Sequence, residues 1–396
     1  MSSNTDYWKP SWAPEMLSIQ RITALDLARF IAMVMMVQGH TIGALTLPED
    51  MNLQEFPWTW WHYARGFTAQ VFLIVSGTVH VFANKRMENG RLKPETIKRR
   101  IRMALLIMGI GYLFAFPANK IWDIFFLEDK YWISFCRANI LQLIGVTLLL
   151  ALLLFKYTKT DKSLGRAALF FAILISVLSP FVHYVHWFDY LPEFFASYLS
   201  FEHRSFFPIF PYTAFLFYGI YIGTILKRKK PGERTKFIIK WFLPAGIILV
   251  LAGFGLRGIL SELSWSMLYK TNPGVILYQI GFVLTGMAFW AFIYTKTRQL
   301  TFFYAMFGKR ALMIYVLHLI VLYGTPWFAS IGNFYYKQLS VEWAVFFAIV
   351  IEIITFGIVF WYEYLLNKYE KFRKYYLYVL GAIVAYLVLV GNVWMW

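Results

Sequence analysis

The chain has 396 residues, of which 59% are hydrophobic and 15% charged, and it carries a formal net charge of +17. A soluble fold of this length has too little interior to hide so much apolar surface, so composition excludes an ordinary soluble enzyme and points to a bilayer. The positive charge sits in short blocks between apolar runs, as topology signals do, and this argues against a nucleic-acid partner.

The first 20 residues lack the apolar core of a signal peptide, so they are expected to remain as a cytoplasmic N-terminal segment. Beyond them the apolar runs predict roughly eleven membrane helices: 24–46, 59–83, 101–118, 134–155, 165–187, 206–226, 237–256, 273–295, 302–324, 341–366 and 375–395. The loops between them alternate in charge. The 85–102 loop holds eight Lys/Arg against Glu88 and Glu95, and "KRKKPGERTK" and "NKYEKFRK" are basic too. The loops "LPEDMNLQEF", "DIFFLEDK" and "FDYLPEF" are acidic or near neutral. By the positive-inside rule the basic loops and the N-terminus are cytoplasmic, and the C-terminus lies outside. The expected fold class is all-α: a polytopic helical membrane protein forming a single domain over 1–396. The 188–205 stretch, short and aromatic, reads as an interfacial lid or re-entrant piece.

Charged and strongly polar residues inside these spans need a reason, since each costs about 2.5–3.5 kcal/mol at a helix centre on insertion scales. The first span, "LDLARFIAMVMMVQGH", holds Asp26, Arg29 and His40. Helical spacing sets Arg29 and His40 within about 20° of one face and roughly 16 Å apart along the axis. Arg29 paired with Asp26 and snorkelling to lipid phosphates would be a purely structural arrangement. The ninth span repeats the plan: Lys309 and Arg310 at its inner end, His318 deeper. Glu352 falls mid-span, where an unpaired carboxylate is expensive, so it is expected to be protonated or to pair with a histidine or arginine. Gln70 shares a face of the second span with Gly77, and Arg137 and Gln142 mark a polar patch at the outer end of the fourth. His183 and His186 have metal-like spacing but no acidic or cysteine partners close in sequence, and one cysteine, Cys136, cannot make a zinc cage or an intramolecular disulfide. No metal site is expected.

Several of these residues resemble a known family. Arg21, Leu25-Asp26, Arg29 and His40 follow the first-helix pattern of membrane acyltransferases. That pattern is shared by the acyltransferase-3 group and the bacterial relatives of heparan-alpha-glucosaminide N-acetyltransferase. "VFLIVSG" is similar to their second-helix segment, "FFPIFPYTAFLFYGIYIG" resembles the heparan-type relatives, and "FGKRALMIYVLHLIVL" resembles their late helix ending in histidine. The chain departs from the pattern at Phe30 and Ala311, where the family usually has Gly and often has Ser. The lysosomal enzyme has Asn where His40 stands and a histidine further on; here that later position is Met51, which favours the bacterial subgroups.

The resemblance implies an integral enzyme of a bacterial inner membrane. It would take an acyl group, acetyl above all, from cytoplasmic acetyl-CoA and pass it to a hydroxyl or amine of a glycan or related envelope acceptor. Arg29, Asp26, Lys309 and Arg310 would form the donor-binding set, with guanidinium groups on phosphate. His40 would be general base or acyl carrier, His318 and Glu352 its helpers, and Gln70, Arg137 and Gln142 candidates for the acceptor. The same buried polar residues would also suit a transporter or exporter of a glycan or lipid intermediate.

Overall fold

The computed structural model describes residues 10–12, 21–262 and 269–391. Among them every regular element is helical. α1 (Thr23–Leu45) starts with Asp26 in its first turn, where a carboxylate suits the helix dipole, and ends at an extended Thr46 ahead of Pro48. α2 (Trp58–Gly66) and α3 (Thr68–Ala83) break at Phe67 but together make one span-length unit. There follow α4 (Pro94–Phe114), α5 (Asp129–Cys136), α6 (Ile140–Tyr157) and α7 (Asp161–Val182). Next come α8 (Glu193–Ala196), α9 (Ile209–Lys227), α10 (Arg234–Glu262) and α11 (Pro273–Lys296). The chain closes with α12 (Thr301–Lys309), α13 (Ala311–Tyr323), α14 (Ile331–Tyr335), α15 (Val341–Lys368) and α16 (Phe372–Val390).

Nine of the described helical segments are long and apolar enough to cross a membrane, and α12 with α13, bent by 66°, would make a tenth. The chain is an all-α polytopic membrane protein. The expected third span falls in α4, whose first turns carry Lys98, Arg99, Arg100 and Arg102 and so leave too short an apolar run. The expected ninth span is two helices. The bend falls at Arg310, which closes α12 and opens α13 with φ −102° and ψ 18°. The 187–204 stretch forms three short turns of helix around residues 187–189, 193–196 and 202–204.

The described chain divides into two compact units. One contains residues 21–68, 116–128 and 292–391, and thus α1, α2 and α12–α16; the other contains 69–115 and 129–291. In the second unit, α3 and α9 touch backbone to backbone. A Cβ at Gly77 would overlap the Leu216 carbonyl, one at Gly219 the Ile74 carbonyl, and Thr78 Oγ1 donates to Gly219 O at 3.0 Å. Small residues at such crossings let membrane helices gain dispersion contacts where no hydrophobic effect separates lipid from protein. In the first unit, α1 packs against α12, α13 and α15. Its C-terminal carbonyls, which have no intrahelical donors, accept from the 337–339 segment: Lys337 N to Ala44 O at 2.9 Å and Leu339 N to Leu45 O at 2.9 Å. That capping fixes the helix end that bears His40.

Candidate active site in the first unit

The site residues of the first unit fall into two clusters, one at each end of α1. At the start of the helix, Arg21 grips Asp26 along one guanidinium edge, Nε to Oδ2 at 2.7 Å and Nη2 to Oδ1 at 3.1 Å. This fork geometry is the strong form of a carboxylate pair. Arg21 Nη2 also donates to Ala305 O at 2.6 Å, and Arg29 Nη1 donates to Gly308 O at 3.1 Å. Arg21, just ahead of α1, and Arg29 within it thus serve carbonyls in the last turns of α12, where positive charge is favoured. Gly308 permits the approach, since a Cβ there would come within 2.8 Å of Asp26 Oδ1. Asp26 is therefore committed to Arg21, not to Arg29, and Arg29 keeps donors that this one bond does not use.

Past the bend, Arg310 ion-pairs with Glu363 of α15, which also lies 3.6 Å from Lys309 Nζ and is 1% exposed. The Arg310 guanidinium stacks over the Tyr362 ring at 4.9 Å. Arg21, Arg29, Lys309 and Arg310 set against Asp26 and Glu363 leave a net positive cluster, with Lys309 half exposed at its edge. Trp12 packs edge-on against Phe302, Phe360 and Tyr364, the last of these next to Glu363 in the chain.

At the other end of α1, His40 meets His318 of α13. His40 Nδ1 and His318 Nε2 are 3.1 Å apart, and His318 Nδ1 is 3.1 Å from Ile314 O. A carbonyl can only accept, so His318 carries its proton on Nδ1 and presents a bare Nε2. His40 must then donate from Nδ1, which leaves the lone pair of its own Nε2 free. His318 is fully buried, while His40 is partly exposed. The buried ring thus fixes the tautomer of the reachable one, the arrangement that makes a histidine a directed base. Tyr315 and Tyr323 flank the pair, with ring centroids 5.4 Å from His318 and 6.1 Å from His40.

Glu352 is not part of this pair. Its Oε2 lies 3.5 Å from Gln38 Nε2, its Oε1 is buried without a hydrogen-bond partner, and neither oxygen reaches a histidine or arginine. The three residues proposed for the acceptor all belong to the second unit. Gln70 and Gln142 are buried, with Gln70 Oε1 and both side-chain atoms of Gln142 unpartnered, and Arg137 Nε donates to His203 O at 2.9 Å. His183, His186 and His203 are each spoken for, by Phe210 O, Glu202 and Glu193.

Two residues of the site escaped the sequence reading. Glu363 looked like the polar end of a span in "WYEYLLNK". Arg65 sits in the aromatic run "WTWWHYARG", yet its Nη1 donates to Gly39 O at 2.6 Å, the carbonyl just before His40. The signal that could have found it is Gly39 and Gly43, two glycines one turn apart that bare the backbone of α1 beside the histidine.

The catalytic-domain model of heparan-alpha-glucosaminide N-acetyltransferase matches residues 21–257. The chain belongs to that family. It is an integral membrane acetyltransferase. The matched residues take in Arg21, Asp26, Arg29, His40 and Arg65; His318, Lys309, Arg310, Glu352 and Glu363 lie beyond them, and they join the site through the packing of α12, α13 and α15 on α1. A comparison with curated proteins returned no match.

Proposed function

We propose that the protein takes the acetyl group of cytoplasmic acetyl-CoA and passes it to a hydroxyl or amine of a glycan or related envelope acceptor on the far side of a bacterial inner membrane. The whole chain, 1–396, acts as one module with its N-terminus inside. The observation that carries this reading is the pairing of two different chemistries on one helix. Arg29 opens α1 among net positive charge, and His40, with its Nε2 lone pair free, lies roughly 16 Å further along. Phosphates suit the first end and a thioester the second.

The residues fit such a donor. Arg29 has unused N–H donors, and Lys309 offers an accessible ammonium for a phosphate. Glu363 and Asp26 do not bind the donor; they hold the cations in place against it. At the other end His40 Nε2 accepts the proton of the acceptor as its oxygen or nitrogen attacks the thioester carbon. The charge gained by His40 is shared through Nδ1–H with His318. His40 then returns a proton to the departing thiolate, which leaves as free CoA. Direct transfer uses Nε2 only as a proton carrier; an acetyl-histidine route, in which Nε2 itself attacks the thioester, would show ping-pong kinetics. Gln38, about 200° round α1 from His40, meets Glu352 of α15 away from the histidine pair, and neither is given a place in the proton path.

The test is labelled acetyl-CoA with the purified protein in lipid nanodiscs and a glucosamine-terminated acceptor. Label should reach the acceptor, and His40→Ala should slow the transfer about 100–10,000-fold at a normal protein yield and thermal midpoint. Transfer in His40→Ala at close to the wild-type rate would overturn the assignment of the base. A protein that neither hydrolyses nor transfers acetyl would instead favour an exporter.

A further inference from the structure

Acyl transfer from a thioester passes through a tetrahedral adduct whose former carbonyl oxygen bears negative charge, and holding that charge is usually the largest catalytic contribution. Many acyl-transfer sites do so with backbone N–H groups. α1 itself does not offer that route. The histidine sits inside a continuous helix from Thr23 to Leu45, where N–H groups are spent on carbonyls one turn back. A rigidly held side-chain cation is the alternative source of such stabilisation.

Arg65 is placed for it. Its guanidinium lies on the bare backbone left by Gly39 and Gly43: a Cβ at Gly39 would come within 3.2 Å of its Cδ, and one at Gly43 within 2.7 Å of Nη1. Nη1 donates to the carbonyl adjoining His40, Nη2 donates to His62 Nδ1 at 3.3 Å, and the Trp61 ring covers one side at 4.5 Å. The group is therefore held rigidly, as preorganised charge must be. Among the described residues it has no carboxylate partner, whereas Arg21, Arg86 and Arg310 all do. Its charge is unspent, and a guanidinium carries more N–H donors than these two bonds use. Lys337, a second cation on this end of α1, binds Gly43 O at 2.7 Å.

We propose that Arg65 is the oxyanion donor of the acetyl transfer, an inference that rests on His40 as the base. As the acceptor attacks, the new bond to the acetyl carbon forms, the π pair of the carbonyl moves onto its oxygen, and Arg65 N–H groups hold that oxygen while His40 Nε2 takes the acceptor proton. Collapse restores the carbonyl, breaks the carbon–sulfur bond and returns the proton from His40 to the thiolate.

The experiment measures kcat and KM for acetyl-CoA with full-length protein in nanodiscs, for Arg65→Gln, Arg65→Gly, Arg65→Lys, Tyr323→Phe and His40→Ala. Removing an oxyanion donor costs about 100–1,000-fold in kcat, so Arg65→Gln should lose that much while KM for acetyl-CoA stays within about threefold. Added guanidinium ion should restore Arg65→Gly by at least about tenfold and leave His40→Ala unchanged. Arg65→Lys, which keeps the charge, should fall between wild type and Arg65→Gln, and it serves if the smaller variants fail to fold. The proposal is overturned if the Arg65 variants keep wild-type kcat, if guanidinium does not rescue Arg65→Gly, or if Tyr323→Phe suffers the larger loss. Activity retained in His40→Ala while Arg65→Gly is rescued would remove the base assignment and leave the oxyanion donor standing.

Discussion

Replacing His318 with leucine probes the histidine pair without touching the base itself. In the wild type the His40 Nδ1 proton has a buried acceptor 3.1 Å away, and His318 is fully enclosed. Leucine is apolar and of similar bulk, so the main change is an unanswered donor. Leaving a buried donor unpaired costs about 1–3 kcal/mol, which converts to roughly 5–150-fold if the cost falls on the transition state. Some of the rings will then also move the proton to Nε2, the atom that must be bare, which pushes the loss to the upper part of that range. The donor cluster is at the far end of α1, so KM for acetyl-CoA should not move. The assay is transfer of labelled acetyl to a glucosamine-terminated acceptor by nanodisc protein, for His318→Leu, His40→Ala and the double variant. His40→Ala should lose on the order of 100–10,000-fold, and the double variant should be no worse, because His318 acts only through His40. Losses that multiply in the double variant, or an unimpaired His318→Leu, would refute the pairing argument.

Arg29→Gln should raise KM for acetyl-CoA, since a charge-assisted hydrogen bond is worth about 1.5–3 kcal/mol. It should leave KM for acetyl-pantetheine, which lacks the nucleotide phosphates, unchanged; equal effects on both donors would place the phosphates elsewhere. Glu363→Ala should lower the thermal midpoint in detergent, because the breaking of a buried ion pair typically costs about 3–5 kcal/mol. The loss should fall at the low end of that range, Arg310 being 23% exposed and Lys309 47% exposed. Gly77→Ala should destabilise the protein by about 1–3 kcal/mol or more through forced separation of α3 from α9, read as a lower midpoint, while Gly109→Ala, with open space around it, should not.

Helices and their limits were largely legible in the sequence. α1 was expected over 24–46 and runs Thr23–Leu45, and α11 and α15 start where their apolar runs start, at Pro273 and Val341. The bend at Arg310 is not legible: in "FGKRALMIY" Lys309 and Arg310 read as the charged inner end of one span, and no proline marks a break. The residues of the site could be picked out one by one because charge inside a span is costly wherever it occurs. Their pairings could not. That His318 meets His40 while Glu352 meets Gln38 depends on how α13 and α15 are set against α1, and helical spacing within one segment says nothing of that. Asp26 illustrates the same limit: one turn from Arg29 in the helix, it is taken by Arg21 instead. Arg65 was hidden because its meaning lies in two glycines of another helix.

The most direct test of the account is a structure of the protein with a non-hydrolysable acetyl-CoA analogue bound. Phosphate density should lie against Arg29 and Lys309, and the acyl carbonyl beside His40 Nε2. Phosphates bound away from that cluster, or an acyl group remote from the His40–His318 pair, would contradict it.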